Sequence, residues 1–172
     1  YILLTFCSEI FTYDLSITID VSEQRLYLKE KGSILESFPI STSKFGEGSV
    51  ENSYKTPLGL HQIKEKIGSE VPENTIFISR INTSRVANIV QLPIDSEEDL
   101  VTSRILWLDG LEIGANKGPG IDTFKRYIYI HGTQEEGLIG QKASHGCIRM
   151  FNSDVVYLYE LVEKGTKVYI KA

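Results

Sequence analysis

Two histidines and one cysteine fall within residues 131–147 of a 172-residue chain that has three histidines and two cysteines in all. The stretch reads Tyr127-Ile128-Tyr129-Ile130-His131-Gly132-Thr133 and then Ala143-Ser144-His145-Gly146-Cys147-Ile148-Arg149-Met150. A thiol is a strong nucleophile only as thiolate, and a neighbouring imidazole is the usual means of taking its proton. Gly146 removes a side chain where a substrate backbone would approach, and it frees successive N–H groups to point one way. These residue types suit acyl transfer, with Cys147 as nucleophile and His131 as base. His145 shapes the pocket and steers the thiolate, and the N–H groups of Gly146 and Cys147 are the expected oxyanion donors. Arg149 shares a face with Cys147 if the segment is extended, and a guanidinium there suits a substrate carboxylate. An ion pair within the loop would use the same group equally well. No acidic residue adjoins His131 in sequence.

The elements that must position these groups are mostly strands. Leu15-Ser16-Ile17-Thr18-Ile19-Asp20-Val21 alternates strictly, which predicts a strand with its apolar residues inward. Residues 24–29 and 34–40 continue it as a meander. Thr56-Pro57-Leu58-Gly59 is a turn delivering a strand over 60–67, on which His61 is expected to be a structural or half-exposed residue. Residues 75–80 and the apolar run around Trp107 read as further strands. Ser96-Glu97-Glu98-Asp99 has a capping-box pattern and reads as a helical turn or a solvated loop. The glycine-rich segment 109–123 is long enough to suggest a wall or lid beside the site. His131 is expected at the C-terminal end of the strand Tyr127-Ile128-Tyr129-Ile130. A helix over about 154–164 follows, N-capped by Asn152 or Ser153 and stopped by Gly165. Residues 167–170 close the sheet. The sum is a mainly β fold, a sandwich or partly open barrel, with one helix after the site loop.

His131-Gly132 followed by Ser144-His145-Gly146-Cys147-Ile148-Arg149 resembles the signature of the L,D-transpeptidases of the YkuD type. Thr56-Pro57-Leu58-Gly59 resembles that family's Thr-Pro-x-Gly turn, and Gly165-Thr166-Lys167-Val168-Tyr169-Ile170 its closing strand. The resemblance spans residues 15–170, so a single catalytic domain is expected over 15–172, after an N-terminal segment 1–14. It implies the same β architecture and a Cys147 thioester with a peptidoglycan tetrapeptide stem, formed as the terminal D-Ala leaves. An amine of a second stem would resolve it to a 3→3 cross-link. Water would make the enzyme an L,D-carboxypeptidase, and a lipoprotein amine would make it an anchoring transferase. The resemblance also implies an extracytoplasmic location, in periplasm or cell wall, a role in cell-wall organisation and cell shape, and acylation by carbapenems. His131 is the base it implies, held by a backbone carbonyl. Ser144, Gly132 and Arg149 are the residues expected to contact substrate. Some family members carry Ser where this chain has Gly132.

Composition sets the outer bounds. Net charge is −5, and no run of Lys or Arg exists, so nucleic acid is not an expected partner. No stretch reaches the ~18 apolar residues of a spanning helix. The short apolar run Tyr1-Ile2-Leu3-Leu4-Thr5-Phe6-Cys7 reads as a signal-peptide remnant, which its lack of a charged flank and cleavage site opposes, or as a first strand or frayed terminus, the expected reading. A disulfide between Cys7 and Cys147 would mask the nucleophile. His131, His145, Cys147 and His61 as zinc ligands would form a non-catalytic metal module, but His-x-Cys spacing suits a tetrahedral site poorly. Neither metal nor other cofactor is expected. A wall-binding module with a dead site is opposed by intact Cys147 and His131.

Overall fold

Period-two alternation builds the sheet in the computed structural model, which describes residues 14–172. The expected N-terminal segment, Asp14 apart, lies outside the described residues, and so does Cys7. Strands β1 (Leu15–Asp20), β2 (Arg25–Glu30) and β3 (Ser33–Ser41) form the expected antiparallel meander. Ile17, Ile19, Leu26, Leu28 and Ile40 are buried on its inner face. β4 (Gly59–Ile67) leaves the Thr-Pro-x-Gly turn with Gly59 at φ +97°, backbone that favours glycine.

Closure of the sheet is a tertiary outcome. β4 pairs on one side with β10 (Lys167–Lys171) and on the other with β7 (Val101–Gly110). β10 also runs parallel to β1, and β3 pairs with β9 (Ile148–Met150). β8 (Tyr129–Gly132) links β9 to β7. The pairing of β4 with β7 turns the row β4-β10-β1-β2-β3-β9-β8-β7 back on itself. The fold is mainly β with one helix, as expected, and its sheet closes into a barrel-like form. A bulge between Ile63 and Glu65 accompanies the β4–β7 pairing, the usual device for bending a strand.

A hairpin stands off this barrel where one strand was expected. β5 (Thr75–Ile78) and β6 (Ile81–Val86) pair with each other, and β5 also pairs with Val101 and Thr102 of β7. Ser79 and Arg80 form the turn, at φ +48° and +69°. Two positive-φ residues match the twist of a hairpin, but Ser-Arg carries none of the Asn-Gly signal that makes such turns legible.

The α-helix α1 (Asn152–Leu161) follows the site, as expected. It opens earlier than expected, with Phe151 at the cap position and no side-chain cap. Asn152 is instead a buried junction. Its amide donates to Thr133 O and Glu136 Oε1, and its Oδ1 accepts from Thr102 Oγ1 and Ser103 Oγ. Val155, Leu158 and Val162 join Ile130, Ile148 and Met150 in the main apolar cluster. No helix among the described residues is long and apolar enough to cross a membrane.

Candidate active site

Parallel pairing of β8 with β9 brings the two halves of the motif together, with His131 opposite Arg149 and Ile130 opposite Ile148. Side chains two apart share a face. Ile128, Ile130, Ile148 and Met150 therefore fill the barrel core, while Tyr129, His131, Cys147 and Arg149 fall on the opposite side. There Tyr129 packs with Phe77 and Ile105, and Trp107 and Cys147 lie against them. Arg80, at the hairpin turn, lies 4.8 Å over Trp107 and 4.9 Å over Tyr127, and donates to the Tyr129 hydroxyl at 3.1 Å.

The turn carrying Cys147 is held at several points. Ser144 Oγ donates to Cys147 O at 2.6 Å and accepts from Gly146 N at 3.2 Å. Thr56 Oγ1 donates to Gly146 O at 3.0 Å, so the Thr-Pro-x-Gly turn buttresses the nucleophile turn across 90 residues of sequence. Gly146 has φ +123°, and a Cβ there would lie 3.4 Å from Lys55 O. That distance is an ordinary contact, so it is the positive φ that selects glycine. The Gly146 N–H is already engaged by Ser144, which differs from its expected availability to an oxyanion. Ser144 itself is fully buried as a turn builder rather than open to substrate.

Cys147 Sγ sits in a backbone cradle. It accepts from Tyr129 N at 3.3 Å and donates to Tyr127 O at 3.4 Å, with Tyr127 at φ +57°. Burial pushes the thiol up to about 12, against the Tyr129 N–H, which favours thiolate. His131 is the penultimate residue of β8, at the C-terminal end of the strand as expected, and it is buried. Its Nδ1 donates to Gly132 O at 2.6 Å, which leaves Nε2 as the acceptor nitrogen. Burial pulls this imidazole down to about 4, although the Asp99 carboxylate and the Gly132 carbonyl work the other way. The resting pair is therefore a neutral thiol and a neutral imidazole. Gly132 acts on the ring through its carbonyl and does not face a substrate. A Cβ on it would meet Asn152 Oδ1 and Thr102 O, so the serine of some relatives has no room here.

Arg149 is 1% exposed and enclosed by acids, the ion-pair alternative of the two open in the sequence. Its Nη1 pairs with Glu135 at 2.8 Å and its Nη2 with Asp99 at 2.6 Å. Asp99 also accepts from His145 Nδ1 at 2.8 Å. Burial works to raise the Asp99 carboxyl, and Arg149, then His131 and His145, hold it below its usual range. Asp99 thus ties together three of the predicted site residues, and sequence reading passed it over as one end of an acidic loop. Replacing Arg149 by glutamine leaves Glu135, also 1% exposed, as an uncompensated buried carboxylate. That should cost about 3–5 kcal/mol, read as a lower urea midpoint at unchanged slope. Unchanged stability with weakened donor binding would instead return Arg149 to substrate contact.

Other expected participants lie elsewhere. His61 is fully buried between Gly59 O and Thr123 Oγ1, a structural residue as expected. Among the described residues no group of three His, Cys, Asp or Glu side chains is placed to hold a metal ion. Most of the glycine-rich segment is pinned to β4 and not over the thiol. Asn116 Nδ2 donates to Leu58 O and Leu60 O, and its Oδ1 accepts from Glu112 N. Only the stretch after it reaches the site. Phe124 stacks on Trp107 with centroids 4.0 Å apart, and Tyr127 contacts the sulfur.

Fold and site together define a β-barrel domain with a thiol and a buried imidazole on one outer face. The family model described as the YkuD L,D-transpeptidase catalytic domain matches residues 14–170, and the chain belongs to that family. The probable L,D-transpeptidase ErfK/SrfK of Salmonella typhimurium is 47% identical over 155 residues, 90% of this chain and 43% of that protein. The chain thus spans less than half the length of this curated relative. An L,D-transpeptidase from Mycobacterium smegmatis has the same fold, with a TM-score of 0.59 at 18% identity over 93% of this chain and 59% of that one. L,D-transpeptidase 3 from Mycobacterium tuberculosis, solved with a faropenem-derived adduct, gives 0.58 at 17% identity over 93% and 61%.

Proposed function

We propose that this chain is the catalytic domain of an extracytoplasmic peptidoglycan L,D-transpeptidase in which Cys147 carries the acyl group. The observation that supports it most is the cradle of Cys147 Sγ between Tyr129 N–H and Tyr127 O, one strand away from a His131 whose Nδ1 is tied to Gly132 O. His131 Nε2 takes the thiol proton as Sγ attacks the carbonyl of the stem's third, diamino-acid residue. The Cys147 N–H is the backbone donor assigned to the developing oxyanion. The C–N bond then breaks, and the departing D-Ala amine takes the proton from His131. An amine of a second stem attacks the thioester, His131 accepts its proton, and Sγ leaves and is reprotonated.

Neutral resting groups suit this route. A thiol pushed to about 12 and an imidazole near 4 carry no charge that burial would penalise, and charge develops only as the substrate adds. Purified tetrapeptide stem incubated with the protein should give free D-Ala and a 3→3 dimer by mass spectrometry. Free tripeptide in place of dimer would identify a carboxypeptidase. Absence of any acyl-enzyme would overturn the proposal.

A further inference from the structure

Arg149 is enclosed by Glu135 and Asp99, so its charge is already matched. A second guanidinium beside the thiol is not. Arg126 Nη2 donates to Lys55 O at 2.7 Å and lies 3.5 Å from Ser53 Oγ, and Nη1 donates to Gly48 O at 3.2 Å. All three acceptors are neutral. Among the described residues, no carboxylate pairs with Arg126 within 4.0 Å. Arg126 and Lys125 line a cavity of about 170 Å³ together with Glu51, Tyr54, Tyr127 and His145. Two cations and one carboxylate leave this wall formally positive. The cavity adjoins the nucleophile, because Tyr127 O accepts from Cys147 Sγ and His145 lies two residues before it. Arg126 is also close enough to favour the Cys147 thiolate electrostatically.

We propose that Arg126 is the carboxylate anchor of the acyl donor, binding the free carboxylate one residue beyond the scissile amide. The assignment of that donor rests on the transpeptidase reading above; the anion subsite beside Cys147 does not. A half-buried guanidinium with neutral partners keeps N–H donors and full charge for a carboxylate, which it can grip through two oxygens. Lys125 adds charge at the rim, and Glu51, whose charge Arg126 feels, offsets part of it. The carboxylate leaves with the departing amino acid, so the anchor serves formation of the thioester and not its resolution.

Alkylation of Cys147 by iodoacetate and by neutral iodoacetamide reads the subsite without assuming a natural substrate. The iodoacetate-to-iodoacetamide rate ratio should fall by about tenfold or more in Arg126→Gln, the loss expected of one charge-assisted contact. Arg126→Lys should keep most of it. Intact mass locates the adduct, and thermal unfolding checks each variant, the lysine variant standing in should the glutamine variant fail to fold. Equal slowing with both reagents would make Arg126 a loop tether, and an unchanged ratio, or one lost in Arg80→Gln instead, would also overturn the proposal. With tetrapeptide stems, Arg126→Gln should erase the preference for a terminal acid over its amide and leave thioester resolution unchanged. A ratio that behaves as expected while no stem acylates the wild type would leave the anion subsite standing, and the transpeptidase reading would fail.

Discussion

Replacing Cys147 by alanine is expected to bring stem turnover and carbapenem adduct formation down to background while the protein stays folded. Sγ is the only side-chain atom lost. Its removal leaves Tyr129 N–H without the acceptor it has at 3.3 Å, a loss of about 1 kcal/mol on the usual scale for one hydrogen bond. The expected chemistry follows from the proposed route. A β-lactam carbonyl is a strained acyl donor, and thiolate attack breaks the ring C–N bond while the ring nitrogen takes up a proton. Wild type should gain one adduct per chain on the peptide containing Cys147, faster with carbapenems than with penicillins. Cys147→Ala should gain none, with its unfolding midpoint close to that of wild type. An adduct on Cys7, or no adduct with any carbapenem on folded wild-type protein, would count against the assignment.

His131→Gln should slow acylation at neutral pH by ~10²–10⁴, the range for loss of a general base, and His145 substitutions should do less. The pH profile separates a base from a structural residue. His131, pulled down to about 4 by burial, is neutral and able to accept a proton throughout pH 5–9. The wild-type rate should therefore stay flat down to about pH 5 and fall as pH drops through 4. An imidazole at its ordinary value would lose activity near 6.5 instead. In His131→Gln the thiol must ionise unaided, and it is pushed up to about 12. The residual rate should then climb about tenfold per pH unit across pH 7–10. A variant that keeps the flat profile, or a larger loss on replacing His145, would move the base role away from His131.

Arg149 and Asp99 show how far local pattern carries. Arg149 on the Cys147 face could be read from spacing, since side-chain direction alternates along any extended segment. Its partners could not. Asp99 meets His145 across 46 residues and Glu135 meets Arg149 across 14, and neither separation has a periodic signature. The expected helix cap at Asn152 failed for the same reason. A capping residue is favoured by local geometry, but four partners, on Thr102, Ser103, Thr133 and Glu136, outcompeted the helix end.

Alternation in Leu15–Asp20, the Thr56-Pro57-Leu58-Gly59 turn, the helix after the site and the pairing of types in His131…Ser144-His145-Gly146-Cys147 are all properties of short stretches. From those alone the chain was legible as a mainly β member of its family with a Cys/His site. Tertiary structure decided what depends on contacts between distant strands. It closed the sheet through β4 and β7, turned β5 and β6 into a hairpin over the aromatic side of β8, and drew Gly146 N–H into the Ser144 turn. It also sealed Arg149 between two carboxylates and left Arg126 with neutral partners beside the thiol. Which guanidinium keeps its charge for a substrate depends on where the carboxylates of other strands and loops come to rest, and that is fixed only once the barrel has closed.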